Sequence, residues 1–158
     1  METIIQQGPA TKPLNVLVIG NNPIEMGHVL KNLQQVRGQR IITEIAFDLK
    51  TLLERLLRFR PNFILIDDNI GKDELLVTVS ALSQNRKTKN IPITVLKNSN
   101  YKEAFGGGVG ILDYLLKQNL SPETLYNMLK NSLKFRRTQI YLYQAYKKRK
   151  SQLLQIIH

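Results

Sequence analysis

Five short apolar runs, each followed by a stretch of helical rather than alternating periodicity, limit this chain to one broad architecture. The runs are LNVLVIG (14–20), QRIITEIA (39–46), NFILIDD (62–68), IPITVLK (91–97) and ILDYLLK (111–117). Between them, residues 24–36 carry apolar side chains at Ile24, Val29, Leu30, Leu33 and Val36, and residues 48–59 carry Leu49, Leu52, Leu53, Leu56 and Leu57 on one helical face. Asp48 is placed to cap that second helix. Residues 72–85 and the short 100–105 segment supply further helices, and Ser121-Pro122-Glu123 opens the last one with a capping serine and a proline at its first position. Parallel neighbours need a crossover, so strands alternating with helices predict a parallel sheet covered on both faces. The expected fold is α/β, a doubly wound (βα)5 unit ending near residue 130.

At 158 residues the chain is one domain's length, with an expected disordered leader at 1–12, a domain at 13–131 and a helical extension at 132–158. No apolar run reaches the ~18 residues of a membrane span, and METIIQQGPATKP lacks the order of a secretory signal. With no cysteine, disulfides, thiolate metal sites and cysteine nucleophiles are excluded together. The expected location is cytoplasmic.

Open α/β sheets bind ligands at the carboxyl ends of their strands. Here the first strand ends in Gly20, Asn21, Asn22 and Pro23, all neutral, while the third ends in Asp67 and Asp68. The order of elements, together with PNFILIDDN (61–69), NIPITVLKNS (90–99) and GILDYLLK (110–117), resembles the CheY-like receiver domain of two-component response regulators, a flavodoxin-like fold. The resemblance covers roughly residues 13–131. It implies a phospho-accepting aspartate at Asp67, a conserved lysine at Lys117 and a switch Ser or Thr where this chain has Lys97. The acidic pair that helps hold Mg²⁺ falls on Gly20 and Asn21, and the aromatic switch position falls on Leu112 or a neighbour, with Tyr114 following. Gln118 stands where a proline usually follows the lysine.

The missing acids matter most. Phosphoryl transfer is largely positioning and charge neutralisation, and Mg²⁺ needs hard oxygen ligands. With Gly20 and Asn21 in place of two acids, Asp67 and the backbone of Asn69 remain as metal ligands, and metal affinity is expected to collapse. Strand alternation predicts that Asp68 points away from Asp67, and Glu25 lies near enough to the first helix's start to reach the pocket. Lys97 and Lys117 are expected to flank Asp67 as a fixed polar clasp, with no cofactor.

Other motifs are bland. FGGGVG (105–110) lacks the Gly-Lys-Ser/Thr ending of a phosphate loop, VIGNNPIEMG fails the dinucleotide fingerprint, and His28 and His158 have no ligand partners at metal spacing. The carboxyl-terminal segment is distinctive. All 12 acids lie at or before Glu123, whereas Thr124 to His158 holds eight basic residues and no acid. After Pro122 there is no Pro or Gly, so one helix of about 36 residues, ~54 Å long, is expected. Heptad spacing places Tyr126, Leu133, Ile140, Lys147 and Leu154 on one seam position and Leu129, Arg136, Tyr143, Lys150 and Ile157 on the other, a coiled coil interrupted by charge. Arg136, Arg137, Lys147, Lys148, Arg149 and Lys150 form a basic surface.

The expected function is a degenerate receiver, not an enzyme, acting as a phosphorylation-independent interaction module. Its expected partners are a histidine kinase or downstream output protein, met through Tyr101, Tyr114 and Leu125, and a second copy through the last helix. A working response regulator phosphorylated on Asp67, with Mg²⁺ held partly by Asn21, Glu25 or Asp68, is the alternative. A nucleic-acid adaptor using the basic helix is the second.

Overall fold

A computed structural model describes residues 12–98 and 111–157, with the backbone alone at 111, 112 and 157. The leader up to residue 11, the 100–105 helix with Tyr101, the 105–110 turn and His158 therefore lie outside the described residues. Five parallel strands, β1 (Leu14–Ile19), β2 (Ile41–Ala46), β3 (Phe63–Asp67), β4 (Ile93–Lys97) and β5 (Ile111–Leu116), form one sheet in the order β2-β1-β3-β4-β5. The α-helices among the described residues are α1 (Pro23–Gln34), α2 (Leu49–Leu56), α3 (Lys72–Gln84) and α4 (Pro122–Ile157). The doubly wound parallel sheet expected from the alternation is present.

Strand alternation divides the core in two. Phe63 and Leu65 of β3 join Val16, Val18 and Leu96 beneath α1 and the start of α4, packing on Met26, Val29, Leu125, Met128 and Leu129. Ile64 and Ile66 face the opposite way, onto Leu52 and Leu56 of α2 and Leu75, Val79 and Leu82 of α3. Every residue of β3 is buried, as a central strand covered on both sides requires. Each large apolar side chain so placed contributes about 1.5–3 kcal/mol.

The caps follow the sequence. Asp48 accepts from the Thr51 amide at 2.7 Å, and the Ser121 hydroxyl from the Thr124 amide at 3.1 Å. The α2 helix stops at Leu56 instead of residue 59, and its following turn leads into Pro61. The α4 helix runs unbroken across residue 132. It is buried in its first turns through Ser132 and exposed from Tyr141 through Ile156.

Two strand ends position the site. The chain leaves β1 toward β2 on one side and reaches β3 on the other, so the carboxyl ends of β1 and β3 flank a crevice at this switch point. β1 ends at Ile19 and β3 at Asp67, each one residue earlier than the sequence pattern suggests.

Candidate functional site

The neutral GNNP segment builds the start of α1. Asn22 caps the helix, its side-chain oxygen accepting from the amides of Ile24 at 3.0 Å and Glu25 at 3.1 Å, and Pro23 follows at the first helical position. This cap fixes the first turn and brings Glu25 over the end of the sheet.

Three elements converge there. Lys117, directly after β5, places its ammonium 2.5 Å from Asp67 Oδ1 and 2.6 Å from Glu25 Oε2, with Asp68 Oδ1 at 3.5 Å. Asp67 Oδ1 also accepts from the Asn69 amide at 2.8 Å, and the Asn69 side-chain amide donates to Glu25. Asn98, after β4, donates its amide to Asp68 Oδ2 at 3.2 Å and its side-chain nitrogen to Asn69 Oδ1 at 2.7 Å. Asp67 is 1% exposed and the Lys117 side chain 13%, so the pair is screened weakly by solvent.

The electrostatics follow from this packing. Burial pushes the Asp67 carboxyl above its ordinary value, opposed by the Lys117 bond and the Asn69 amide. Burial alone would lower Lys117, but its bonds to Asp67 and Glu25 outweigh that and raise it, keeping the ammonium charged. Lys117 holds Glu25 below the usual carboxylate range.

Several expectations are corrected by this geometry. Asp68 does not point away from the cluster, because the strand has already ended: Asp68–Ile70 form a 3-10 turn, in which alternation no longer applies. Gly71, at φ 95°, then redirects the chain into α3, a conformation suited to glycine. Lys97 does not flank Asp67. By strand parity it lies on the other face of the sheet, where its ammonium sits 4.9 Å from the centre of the Tyr114 ring. Leu125, expected on the partner face, is 0% exposed and packs into the core, because one turn into α4 the helix faces the sheet. Tyr114 is 37% exposed, as a surface residue requires. Leu112 is described by its backbone alone, and the ring found beside the switch position is that of Tyr114. His28 is exposed.

The two positions on which the resemblance places an acid pair, Gly20 and Asn21, have opposite environments. Asn21 is exposed, whereas Gly20 is buried against Met26 and Asp67. A Cβ at Gly20 would clash with Met26 Sδ and stand 3.1 Å from Asp67 Cβ. The Met26 thioether, 3% exposed, thus fills the space a side chain at position 20 would need. Met26 is not among the apolar positions expected for residues 24–36; Gly20, beside it in space, was the available signal.

These residues do not fit a divalent ion as arranged. The carboxylate oxygens that approach one another, Asp67 Oδ1 and Glu25 Oε2, both bond the same ammonium, and a cation between them would have to displace it. Among the described residues, the buried carboxylate oxygens left without a hydrogen bond are Asp67 Oδ2 and Asp68 Oδ1. Among the described residues no group of three His, Cys, Asp or Glu side chains is placed to hold a metal.

No protein-family model matches the sequence, and no curated protein matches it either. Solved structures do. The chemotaxis response regulator CheY4 of Vibrio cholerae is 24% identical and superposes with a TM-score of 0.63 over 77% of this chain and 99% of its own. The receiver domain of a sensor histidine kinase from Pseudomonas aeruginosa PAO1, with magnesium coordinated in its active-site cleft, is 15% identical, with a TM-score of 0.65 over 78% of this chain and 99% of its own. NtrX from Brucella abortus is 15% identical with a TM-score of 0.68, over 86% of this chain but 30% of its own. The fold is that of a CheY-like receiver domain. In this receiver fold Asp67 and Lys117 stand at the crevice, while Glu25 reaches it from α1. Among the described residues no helix is long and apolar enough to cross a membrane.

Proposed function

We propose that this chain is a degenerate receiver of two-component signalling, a non-enzymatic module that binds a signalling protein without being phosphorylated. The observation that carries the reading is the Lys117 ammonium bridging Asp67 and Glu25 at 2.5 and 2.6 Å. A phosphoryl donor approaching Asp67 would meet an aspartate already paired, with no shielding metal between two anions. The Met26 sulfur beside Gly20 supports the same reading, since it takes up the room in which an acid would supply a metal ligand. Glu25 and Asp68 return negative charge to the crevice, which favours the alternative of a working regulator, but Glu25 is spent on Lys117 and Asn69.

The module's surface is then constant instead of switched, with Lys97 stacked on Tyr114 at one side and the exposed length of α4 at the other. The candidate partners are a histidine kinase, an output protein or a second copy, with cytoplasmic components of a signalling pathway the natural setting. Titrating the ¹⁵N-labelled protein with Mg²⁺ tests the reading. The amides of Gly20, Asp68 and Asn69 are expected to stay in place at millimolar Mg²⁺; saturable shifts confined to these three, abolished by Asp67→Asn, would restore the working regulator.

A further inference from the structure

The free part of α4 carries a line of apolar side chains that begins inside the domain. Met128, 8% exposed, packs in the core beneath the helix. At 100° per residue, Phe135, Leu142, Tyr146 and Leu153 fall within about 40° of it around the helix axis. These four are 51–62% exposed. The line differs from both seam positions expected from the sequence, and no charged residue occupies it between Phe135 and Tyr146.

Cations flank this line. Arg136 and Lys147 lie on one side of it and Arg149 on the other, Lys150 falls on its edge about 40° from Met128, and residues 134–158 hold seven basic residues and no acid. On the Arg136 side, α4 and the loop before β4 enclose a groove of about 640 Å³ lined by Lys89, Arg136, Gln139, Tyr143 and Lys147. The Arg136 Nε there is buried and has no acceptor among the described residues. The Arg136 Nη1 donates to Gln139 Oε1 at 3.4 Å on the same side of the helix.

We infer that this face binds an acidic amphipathic helix of a partner protein, its apolar side on the Phe135–Leu153 line and its carboxylates in the groove at Arg136, Lys89 and Lys147. Charge complementarity selects that occupant. A second copy of α4 would bring seven more cations and no carboxylate beyond Glu123 at its far end. Nucleic acid would satisfy the cations but leaves Leu142 and Leu153 unburied, because aliphatic side chains at helical spacing offer no stacking surface for bases. The inference rests on reading the chain as an interaction module. Phosphorylation of Asp67 would overturn that reading without altering the binding measured here, so the two fail separately.

The test uses the full chain and a fluorescent four-heptad peptide with leucine at its seam and glutamate beside it. Controls are the same peptide with lysine for glutamate, an all-glutamate peptide of equal charge, and a short DNA duplex. The leucine-glutamate peptide is expected to bind at least tenfold tighter than every control and to weaken at least tenfold between 50 and 500 mM salt. Replacing both exposed leucines, Leu142→Ser with Leu153→Ser, should cost tenfold or more, and Arg136→Gln with Lys147→Gln should flatten the salt dependence. Equal binding of the all-glutamate peptide or the duplex would reduce the face to bulk charge, and equal binding of the lysine version would reduce it to bulk apolarity; either overturns the inference. So would no binding at all, or sedimentation showing a dimer that is lost in the double-serine variant.

Discussion

Replacing Lys117 by methionine keeps the length of the side chain and removes its charge, which leaves Asp67 as a buried carboxylate with the Asn69 amide as its remaining donor among the described residues. Breaking one side of a buried ion pair costs about 3–5 kcal/mol, because the remaining charge is neither solvated nor matched. Asp67, at 1% exposure, has little access to water, so the upper part of that range is expected. The loss carries a pH signature. Burial already raises Asp67 in the folded state, and without Lys117 it rises further. A carboxyl whose folded value lies above its unfolded value stabilises the fold fully below the unfolded value, and that advantage is lost as pH rises toward the folded one. Urea unfolding of Lys117→Met should therefore show stability falling by up to about 1.4 kcal/mol per pH unit above pH ~4, where the natural chain stays flatter. Asp67→Asn in the Lys117→Met background should remove the slope and recover most of the loss. A Lys117→Met variant within about 1 kcal/mol of the natural chain at pH 7, with no slope between pH 4 and 7, would refute the clasp.

Three further outcomes follow from the packing. Gly20→Ala should destabilise by about 1–3 kcal/mol through its clash with Met26 Sδ, and the penalty should shrink in a Met26→Ala background, as read from a double-mutant cycle of urea midpoints. Glu25, held below its ordinary 4.5 by Lys117, contributes above that pH and loses its contribution as pH falls through its folded value. The gap between the natural chain and Glu25→Gln, about 1 kcal/mol after allowing for partial exposure, should thus be full at pH 6 and close toward pH 3. Leu125→Ala should cost about 2–5 kcal/mol in chemical denaturation, because Leu125 is core, while removing residues 141–158, exposed from Tyr141 through Ile156, should leave that denaturation midpoint nearly unchanged.

The sheet was legible because its signal is repeated: five apolar runs and the intervening periodicity all demand the same parallel arrangement, and caps such as Asp48 and Ser121 mark helix starts locally. Asp67 and Lys117 were legible because each ends a strand, and strand ends are where the topology gathers side chains. The failures at Asp68 and Lys97 both lie at strand ends, where one residue decides which face a side chain meets. Carrying β3 through Asp68 assigned that side chain to the wrong face, and treating Lys97 as a neighbour of Asp67 ignored that consecutive parity separates it from Leu96, which pairs with Asp67 in register. Leu125 was placed on the surface because the helix start alone does not say which face meets the sheet. Met26 shows a different limit. Filling of the Gly20 space depends on the path of one thioether, which no periodicity encodes.

That the Lys117 ammonium pairs with both Asp67 and Glu25, and that Asp67 is no longer a phosphoryl acceptor, is tested most directly by intact mass. The chain and its Asp67→Ala variant would be incubated with a small phosphodonor and Mg²⁺. The account predicts unchanged mass for both. Gain of one phosphoryl group by the natural chain, dependent on Mg²⁺ and absent from Asp67→Ala, would contradict it.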